Sequence, residues 1–502
     1  MAGMASEGSE QGGGAIAPGV AETHSGVVFF VGDRAYKLKK PVDLGFLDFR
    51  TREAREAVCH REVELNRRLA PDVYLGVSDV LDPDGEACDH LVVMVRMDDD
   101  RRLSKLVLDG ADVAQELDDL ARQMAEFHAG GERGPAADRA ASASALAGRW
   151  AANAAEMQTF AGRTFAEDDL AAVDRLSARY LAGRRPLFEA RIAAGRAVDG
   201  HGDLQADDIF CLDDGPRALD CLEFDDALRL DDGLADVAFL AMDLERLGRP
   251  DLGRAFLDRY RHHGGDSWPA SLSHHHIAYR AQVRAKVSAI RAGQGVAGSA
   301  DKARALLSMA RTHLERAVVR LVVVGGLPGT GKSTLAAGLG EALGAPVLRS
   351  DVIRKELAGL DPSASAAAGF GEGLYSAEGR DATYRALLER ARTSLGLGET
   401  VVVDASWTTE GHRELARSVA AETHSDIVEL ECVLSPEAAA ERIRLRAERG
   451  GDASDADPAV ARAMAGAADP WPSATAIDTA PDPSEVVASA LAALGGPGAR
   501  GR

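Results

Sequence analysis

The sequence predicts two domains, an α+β one first and then an α/β one with a parallel sheet. Three observations predict this. A chain of 502 residues is longer than one ordinary core organises. Between 319 and 343 an apolar run, a glycine loop and a helix with leucines at helical spacing follow one another, the strand–loop–helix unit of a parallel sheet. Between 201 and 224 an acidic loop leads into two short apolar runs separated by a polar turn, as in a hairpin.

Composition bounds the function classes. The net charge of −21, with no offsetting basic patch, argues against nucleic acid as the main partner. The five cysteines are odd in number, scattered and free of any C-x-x-C pair, which suits a reducing cytoplasm and supplies no metal framework. No run of eighteen apolar residues exists, so no membrane-spanning helix is expected. Residues 1–20 are rich in Gly, Ser and Ala without a basic start, and are expected to be a disordered tail rather than a signal peptide.

In the first domain, expected over 21–290, Val27 to Val31 and Ala35 to Leu38 read as strands joined by a turn at Gly32-Asp33. A helix from about Thr51 to Leu69 carries Glu56, Glu62 and Glu64. Lys37 on the second strand, paired with a helix glutamate such as Glu62, is the arrangement by which kinase-type small lobes hold a nucleotide's α/β-phosphates. Leu91 to Met97 is a further strand that closes a small lobe of about 21–100. The chain is then largely helical to Tyr180, with a connector at Asp138 to Ala147.

The strongest signal of this half is His201-Gly202-Asp203-Leu204-Gln205-Ala206-Asp207-Asp208, followed by the hairpin. Asp203 is placed to accept or orient the proton of an attacking hydroxyl, and Asp208 with an acid on the next strand to hold Mg²⁺. That second acid stays open among Asp220, Glu223 and Asp225. His274-His275-His276 read as a polar helix start, and Arg280, Arg284 and Lys286 as a basic helix stripe that salt-bridges the acidic lobe, a clamp on a phosphate being the alternative.

Residues 291–318 read as a glycine-rich hinge and a linker helix, and 319–495 as the second domain. Its loop is Gly326-Leu327-Pro328-Gly329-Thr330-Gly331-Lys332-Ser333, continued by Thr334. The pattern G-x-x-x-x-G-K-[ST] between strand and helix lets backbone N–H groups surround a phosphate. Lys332 supplies charge for the β/γ-phosphates, and the Ser333 hydroxyl can ligate Mg²⁺. Asp351 ends the next short strand, and with Arg354 it resembles the D-x-x-R of P-loop kinases that phosphorylate hydroxyls. Asp351 would be the base and Arg354 would steady acceptor or phosphoryl oxygens. Asp361 to Gly373 reads as a substrate flap. Asp404, at the end of the strand Thr400 to Val403, is the expected second acid for the metal. Arg442 and Arg446 share a face of the helix Pro436 to Arg449, and with the flexible end Gly450-Gly451-Asp452 they read as a lid closing on the γ-phosphate. Five parallel strands with helices on both faces are expected here, followed by a tail at 496–502.

Residues 21 to about 290 resemble the aminoglycoside phosphotransferase-like branch of the protein-kinase fold, and 319 to 495 resemble a small P-loop kinase of the gluconate-kinase or polynucleotide-kinase type. Together they resemble bacterial two-part proteins described as bifunctional aminoglycoside phosphotransferase/ATP-binding proteins. The resemblance rests on Thr23-His24, Ala35-Tyr36-Lys37-Leu38, Cys59 to Asn66, His201 to Phe210, Asp220-Cys221-Leu222-Glu223-Phe224, Asp236 to Asp243 and Ala278 to Lys286. It implies ATP and Mg²⁺ as cofactors and a small-molecule hydroxyl as acceptor. By spacing from Asp236 it puts Glu223 where that fold has its metal aspartate. The chain departs from the pattern in having Asp208 where such kinases have Asn, and in lacking a glycine-rich nucleotide loop before Lys37. The expected activity is γ-phosphoryl transfer from ATP to the hydroxyl of a sugar, an aminocyclitol or a similar molecule. The alternative is a first domain that acts as an inactive kinase-like sensor controlling a P-loop kinase or ATPase.

Overall fold

The computed structural model describes residues 19–22, 26–43, 48–361, 376–449 and 458–495, with the side chains of 446, 447 and 449 excepted. Thr23-His24, almost all of the expected flap, the Gly450-Gly451-Asp452 end, the Arg446 side chain and the tail at 496–502 lie outside the described residues. The chain forms two compact units. One holds the residues up to Leu146 together with Arg191–Ser267 and Tyr279–Arg284; the other holds Ala147–Ala190, Trp268–Ala278 and everything from Ala285 onward. Among the described residues no helix is long and apolar enough to cross a membrane.

The first unit begins with an antiparallel sheet of β1 (Gly19–Glu22), β2 (Gly26–Val31), β3 (Arg34–Lys39), β4 (Tyr74–Leu81) and β5 (Ala87–Val95), in the order β1-β2-β3-β5-β4. The sequence pattern missed β1 and β4. The burial of β4 is uneven along its length, so it carries no clean alternation. The turn between β2 and β3 depends on Gly32, at φ +59°. Helix Arg52–Asn66 is capped by the Thr51 hydroxyl, which accepts from Ala54 N–H. It buries Cys59 and Val63 against Tyr74 and Val92 of the sheet, which turns Glu62 inward. Because side chains alternate across a strand, Lys37 and Lys39 of β3 project from one face.

Below the sheet, β6 (Ala197–Asp199) pairs with β9 (Leu230–Asp232), and β7 (Ile209–Leu212) forms a hairpin with β8 (Gly215–Ala218). The chain between β6 and β7 is the acidic loop. Helix Gly233–Arg246 is buried from Gly233 to Leu244, and Pro250–His263 packs on both it and Ala114–Gly130. The expected connector at Asp138 to Ala147 is instead the helix Pro135–Ala140 and the start of Ala143–Gln158; small residues there pack Ala137 and Ala141 onto Ala197.

In the second unit β10 (Arg320–Gly325), β11 (Val347–Arg349), β12 (Val401–Asp404), β13 (Asp426–Val433) and β14 (Thr475–Asp478) make a wholly parallel sheet in the order β11-β12-β10-β13-β14. Leu321 and Val323 of β10 join one apolar cluster with Leu387, Leu395 and Val419. Val322 and Val324 join the other, with Leu335, Leu339 and Val486. Both faces are covered, which is why the strand reads as a continuous apolar run. Helix Glu167–Gly183 is fastened to this unit's sheet: Arg179 pairs with Asp426 at 2.6 Å, and buried Arg184 donates to Thr423 O and Ser425 Oγ at 2.5 and 3.0 Å. The triple histidine is not a polar helix start. His275 and His276 are buried, with His275 stacked on Tyr180 at 4.4 Å, and burial holds the His275 imidazole neutral, far below its ordinary pKa.

Candidate active sites

In the second unit, β10 delivers the glycine loop to the carboxyl edge of the sheet. Gly329 has φ +82°, and a Cβ there would lie 2.4 Å from Ala439 O; Gly331 has φ +90°, and its Cβ would lie 3.1 Å from Arg442 Nη1. Only glycine fits at either place, and the absence of a side chain lets a phosphate approach the backbone closely there. Gly331 caps helix Lys332–Leu343, whose first free N–H groups and dipole form an anion site. Lys332 Nζ is held 3.0 Å from Leu327 O, Thr330 Oγ1 donates to the same carbonyl at 2.8 Å, and Ser333 and Thr334 are exposed on the first helical turn.

Strand register brings the acids to the loop. Asp404 lies beside Val324 of β10 and beside Arg349 of β11, whose Nε is 3.5 Å from Asp404 Oδ2. Burial pushes Asp404 up; the Lys332 charge and the Ser333 hydroxyl oppose this, and Asp351 adds to it, so these four groups share one locus. Asp351 opens helix Ser350–Leu357 and accepts from Arg354 Nη1 at 2.5 Å, one turn on. Arg442 donates to Thr479 O at 2.8 Å, and Thr479 Oγ1 donates to Thr330 O at 2.6 Å, so the helix Pro436–Arg449 is tied to the loop.

Sequence reasoning missed the support beside Asp404. Gly326 N–H donates to Ser406 O at 3.2 Å, and Trp407 turns the chain at φ +53° while its N–H donates to Tyr384 Oη at 2.9 Å. Backbone strain of this kind leaves no pattern in a sequence. Arg349 was missed too, because a strand-end arginine is usually solvated.

In the first unit the lysine–glutamate pair forms, and it is doubled. Lys37 Nζ is 2.8 Å from Glu62 Oε1 and 2.6 Å from Asp220 Oδ1. Lys39, 1% exposed, is 2.6 Å from Glu62 Oε2 and 2.5 Å from Glu223 Oε1. The Lys39–Glu62 contact is an ion pair without hydrogen-bond alignment, since Glu62 Oε2 has no hydrogen-bond partner among the described residues. The Lys-x-Lys spacing was the available signal for this second lysine. Asp220, at φ +63°, is held down at about 2 chiefly by the Lys37 charge, and 49% of its side chain is open to solvent. Glu223 is tied to Lys39, and Asp225 caps its own turn by accepting from Ala227 N–H at 2.9 Å.

The acidic loop faces this network. Burial pushes Asp203 up to about 6; the charges of Arg284 and Arg280 oppose the rise and that of Asp220 adds to it. Asp208 is pushed well above the carboxylate range by burial, then by Asp220 and Asp203. The loop backbone is pinned by buried Asp236, which accepts from His201 N–H and Gly202 N–H at 2.8 Å each and lies 3.0 Å from His128 Nε2. Burial would raise the Asp236 pKa, yet these bonds and the charges of His128 and His201 hold it far below the ordinary range.

Both donor sets fit a magnesium nucleotide. Ser333 with Asp404 offers a hydroxyl and a carboxylate beside the phosphate loop, and Asp208 with Asp220 offers two carboxylates whose mutual repulsion a cation relieves. Among the described residues no group of three or more His, Cys, Asp or Glu is arranged to hold a metal. Such pairs suit Mg²⁺, which takes one or two carboxylates and completes its shell with waters and phosphate oxygens.

Fold and sites together define a chain whose first unit sets a lysine–glutamate pair on an antiparallel sheet opposite an acidic loop, and whose second unit is a P-loop domain on a parallel sheet. Residues 321–471 match the AAA domain family model. The chain belongs to the same family as uncharacterized proteins of Mycobacterium tuberculosis and Mycobacterium bovis, being 45% identical to each over 461 residues, 92% of this chain and 92% of theirs. Among solved structures it is similar to a gluconokinase from Sinorhizobium meliloti (23% identity, 35% of this chain and 91% of that one, TM-score 0.26). It is also similar to a choline/ethanolamine kinase family protein from Mesorhizobium loti (14% identity, 59% and 92%, TM-score 0.37).

Proposed function

We propose that the chain is an ATP-dependent phosphotransferase that moves the γ-phosphoryl group of ATP to a hydroxyl of a small molecule, with the P-loop domain carrying the reaction. The observation that supports this most is the convergence of Lys332, Ser333, Asp404 and Asp351 at a loop whose Gly329 and Gly331 hold a backbone conformation that favours glycine. The loop amides and Lys332 would hold the β- and γ-phosphates, and Ser333 and Asp404 would hold Mg²⁺, which would supply charge neutralisation during phosphoryl transfer. Asp351 accepts the acceptor's O–H proton, and the freed oxygen pair forms the new P–O bond as the bond from γ-phosphorus to the β–γ bridging oxygen breaks. Arg354 orients Asp351, and Arg442 meets the charge developing on the phosphoryl oxygens.

The first domain is assigned a second transfer of the same kind, with Lys37 and Glu62 on the nucleotide, Asp203 as base, and Asp208 and Asp220 on the metal. Asp220 is preferred over Glu223, because it shares Lys37 with Glu62 and acts on Asp208, whereas Glu223 is spent on Lys39. Five free cysteines and dependence on ATP suit the cytoplasm. The test is ATP consumption with a panel of sugars and aminocyclitols, using Lys332→Ala and Asp203→Ala singly and together. Loss of an acceptor-dependent rate with each supports the two-kinase proposal. Hydrolysis indifferent to every acceptor contradicts it, and an acceptor rate untouched by Asp203→Ala removes the first domain from the chemistry.

A further inference from the structure

Two arginines beside Asp203 are unused by the chemistry above. Arg280 and Arg284 are one turn apart in helix Ala270–Gly293 and project from the same side. Arg280 is 7% exposed and fixed: its Nε donates to Ala235 O at 3.1 Å, its Nη1 to Gly202 O at 3.4 Å, and its guanidinium lies over the Phe239 ring, 5.0 Å from the centroid. It therefore packs against the residue just before Asp203. Arg284 is half-buried, and among the described residues it makes no hydrogen bond or ion pair; its charge is the strongest one acting on Asp203. Three other arginines of this unit are spent on carboxylates, Arg191 on Asp232 and Asp266, Arg229 on Asp199, and Arg217 on Asp72.

A half-buried guanidinium with an open fork next to the base selects by charge. A polycationic acceptor presenting its hydroxyl to Asp203 would bring ammonium groups toward Arg284 and lose affinity. An acceptor carrying a carboxylate or phosphate would fill the fork with paired, charge-assisted hydrogen bonds. We propose that the acceptor of the first domain is an anionic alcohol, a hydroxyl-bearing carboxylate or phosphate monoester whose anionic group binds Arg284 while its hydroxyl meets Asp203. This rests on the kinase assignment of that domain and adds a substrate class opposite in charge to an aminoglycoside.

The experiment uses the full chain carrying Lys332→Ala, which silences the P-loop site. ATP turnover is measured with glucose, glucose 6-phosphate, glucuronate and kanamycin, and nucleotide binding by calorimetry. The expected result is turnover with glucose 6-phosphate or glucuronate and none with glucose or kanamycin; the responding anion tells phosphate from carboxylate. Arg284→Met should raise the acceptor KM about tenfold or more with kcat within about threefold and the ATP KM unchanged, and Arg284→Lys should recover part of the loss. Turnover of glucose or kanamycin that Arg284→Met leaves intact overturns the proposal. So does a rise in the ATP KM instead, which would make Arg284 a clamp on the nucleotide. If no compound is turned over while Lys37→Met still abolishes a nucleotide heat, the substrate class is wrong and the nucleotide assignment stands. If there is no such heat, the kinase assignment of the domain fails as well.

Discussion

Asp236 is the side chain on which the first site's geometry hangs. It is 3% exposed and ties the N–H groups of His201 and Gly202 to His128. Its pKa in the folded protein is depressed, so the stability it contributes is complete above the ordinary carboxylate value of about 4 and drains away as pH falls toward the lower folded value. Asp236→Asn should cost on the order of 3 kcal/mol at pH 7. The variant should also lose less stability between pH 6 and pH 3 than the parent does, as read by urea denaturation at each pH. An equal loss in both would show that the carboxylate carries no special stabilisation. In the second site, Asp351→Asn should lower kcat by about 10² to 10⁴ with little change in the ATP KM, as expected for a base acting on the acceptor.

At the scale of elements, the glycine loop and the helix Pro436–Arg449 depend on one another. Gly329→Ala forces a Cβ against Ala439 O in a backbone region that favours glycine, and Ile443 also crowds the position. It should cost about 1–3 kcal/mol and weaken nucleotide binding together, read by thermal unfolding with and without Mg²⁺-ATP. An unchanged ligand-induced shift in Tm would mean that the helix is not seated on the loop. This loop was legible because G-x-x-x-x-G-K-S is written contiguously and its flanking strand is buried on both faces, so its pattern is unbroken. Lys37 and Glu62 were legible as a pair because strand and helix periodicity fix their faces. The choice among Asp220, Glu223 and Asp225 was not, because these acids lie within six residues in an irregular stretch. There the φ +63° turn at Asp220, which no periodicity encodes, decides which carboxylate meets Lys37. Arg349 and Tyr384 escaped for a related reason, as each gains its meaning only from chain far away in sequence. The buried histidines were misread because polarity was taken for exposure. Tyr180 and Trp150, more than ninety residues earlier, cover His275.

At the scale of the molecule, the parallel-sheet unit includes helices that precede it by more than a hundred residues. Gly183 meets this unit's Thr423 so closely that a Cβ would lie 2.2 Å from the carbonyl oxygen, and Arg184 buries its guanidinium on the same carbonyl with no carboxylate partner among the described residues. Gly183→Ala should destabilise this unit by about 1–3 kcal/mol through overpacking. Arg184→Ala should cost a similar amount, about 1–3 kcal/mol, by stranding a buried acceptor. A fragment of residues 319–495 alone should unfold at a lower temperature than the same unit in the full chain, by scanning calorimetry. An equal Tm would mean that the earlier helices contribute nothing. The measurement that tests the central claim most directly is titration calorimetry of Mg²⁺-ATP into the full chain and its Lys332→Ala variant. The account predicts that the heat of one site disappears in the variant, and identical isotherms would contradict it.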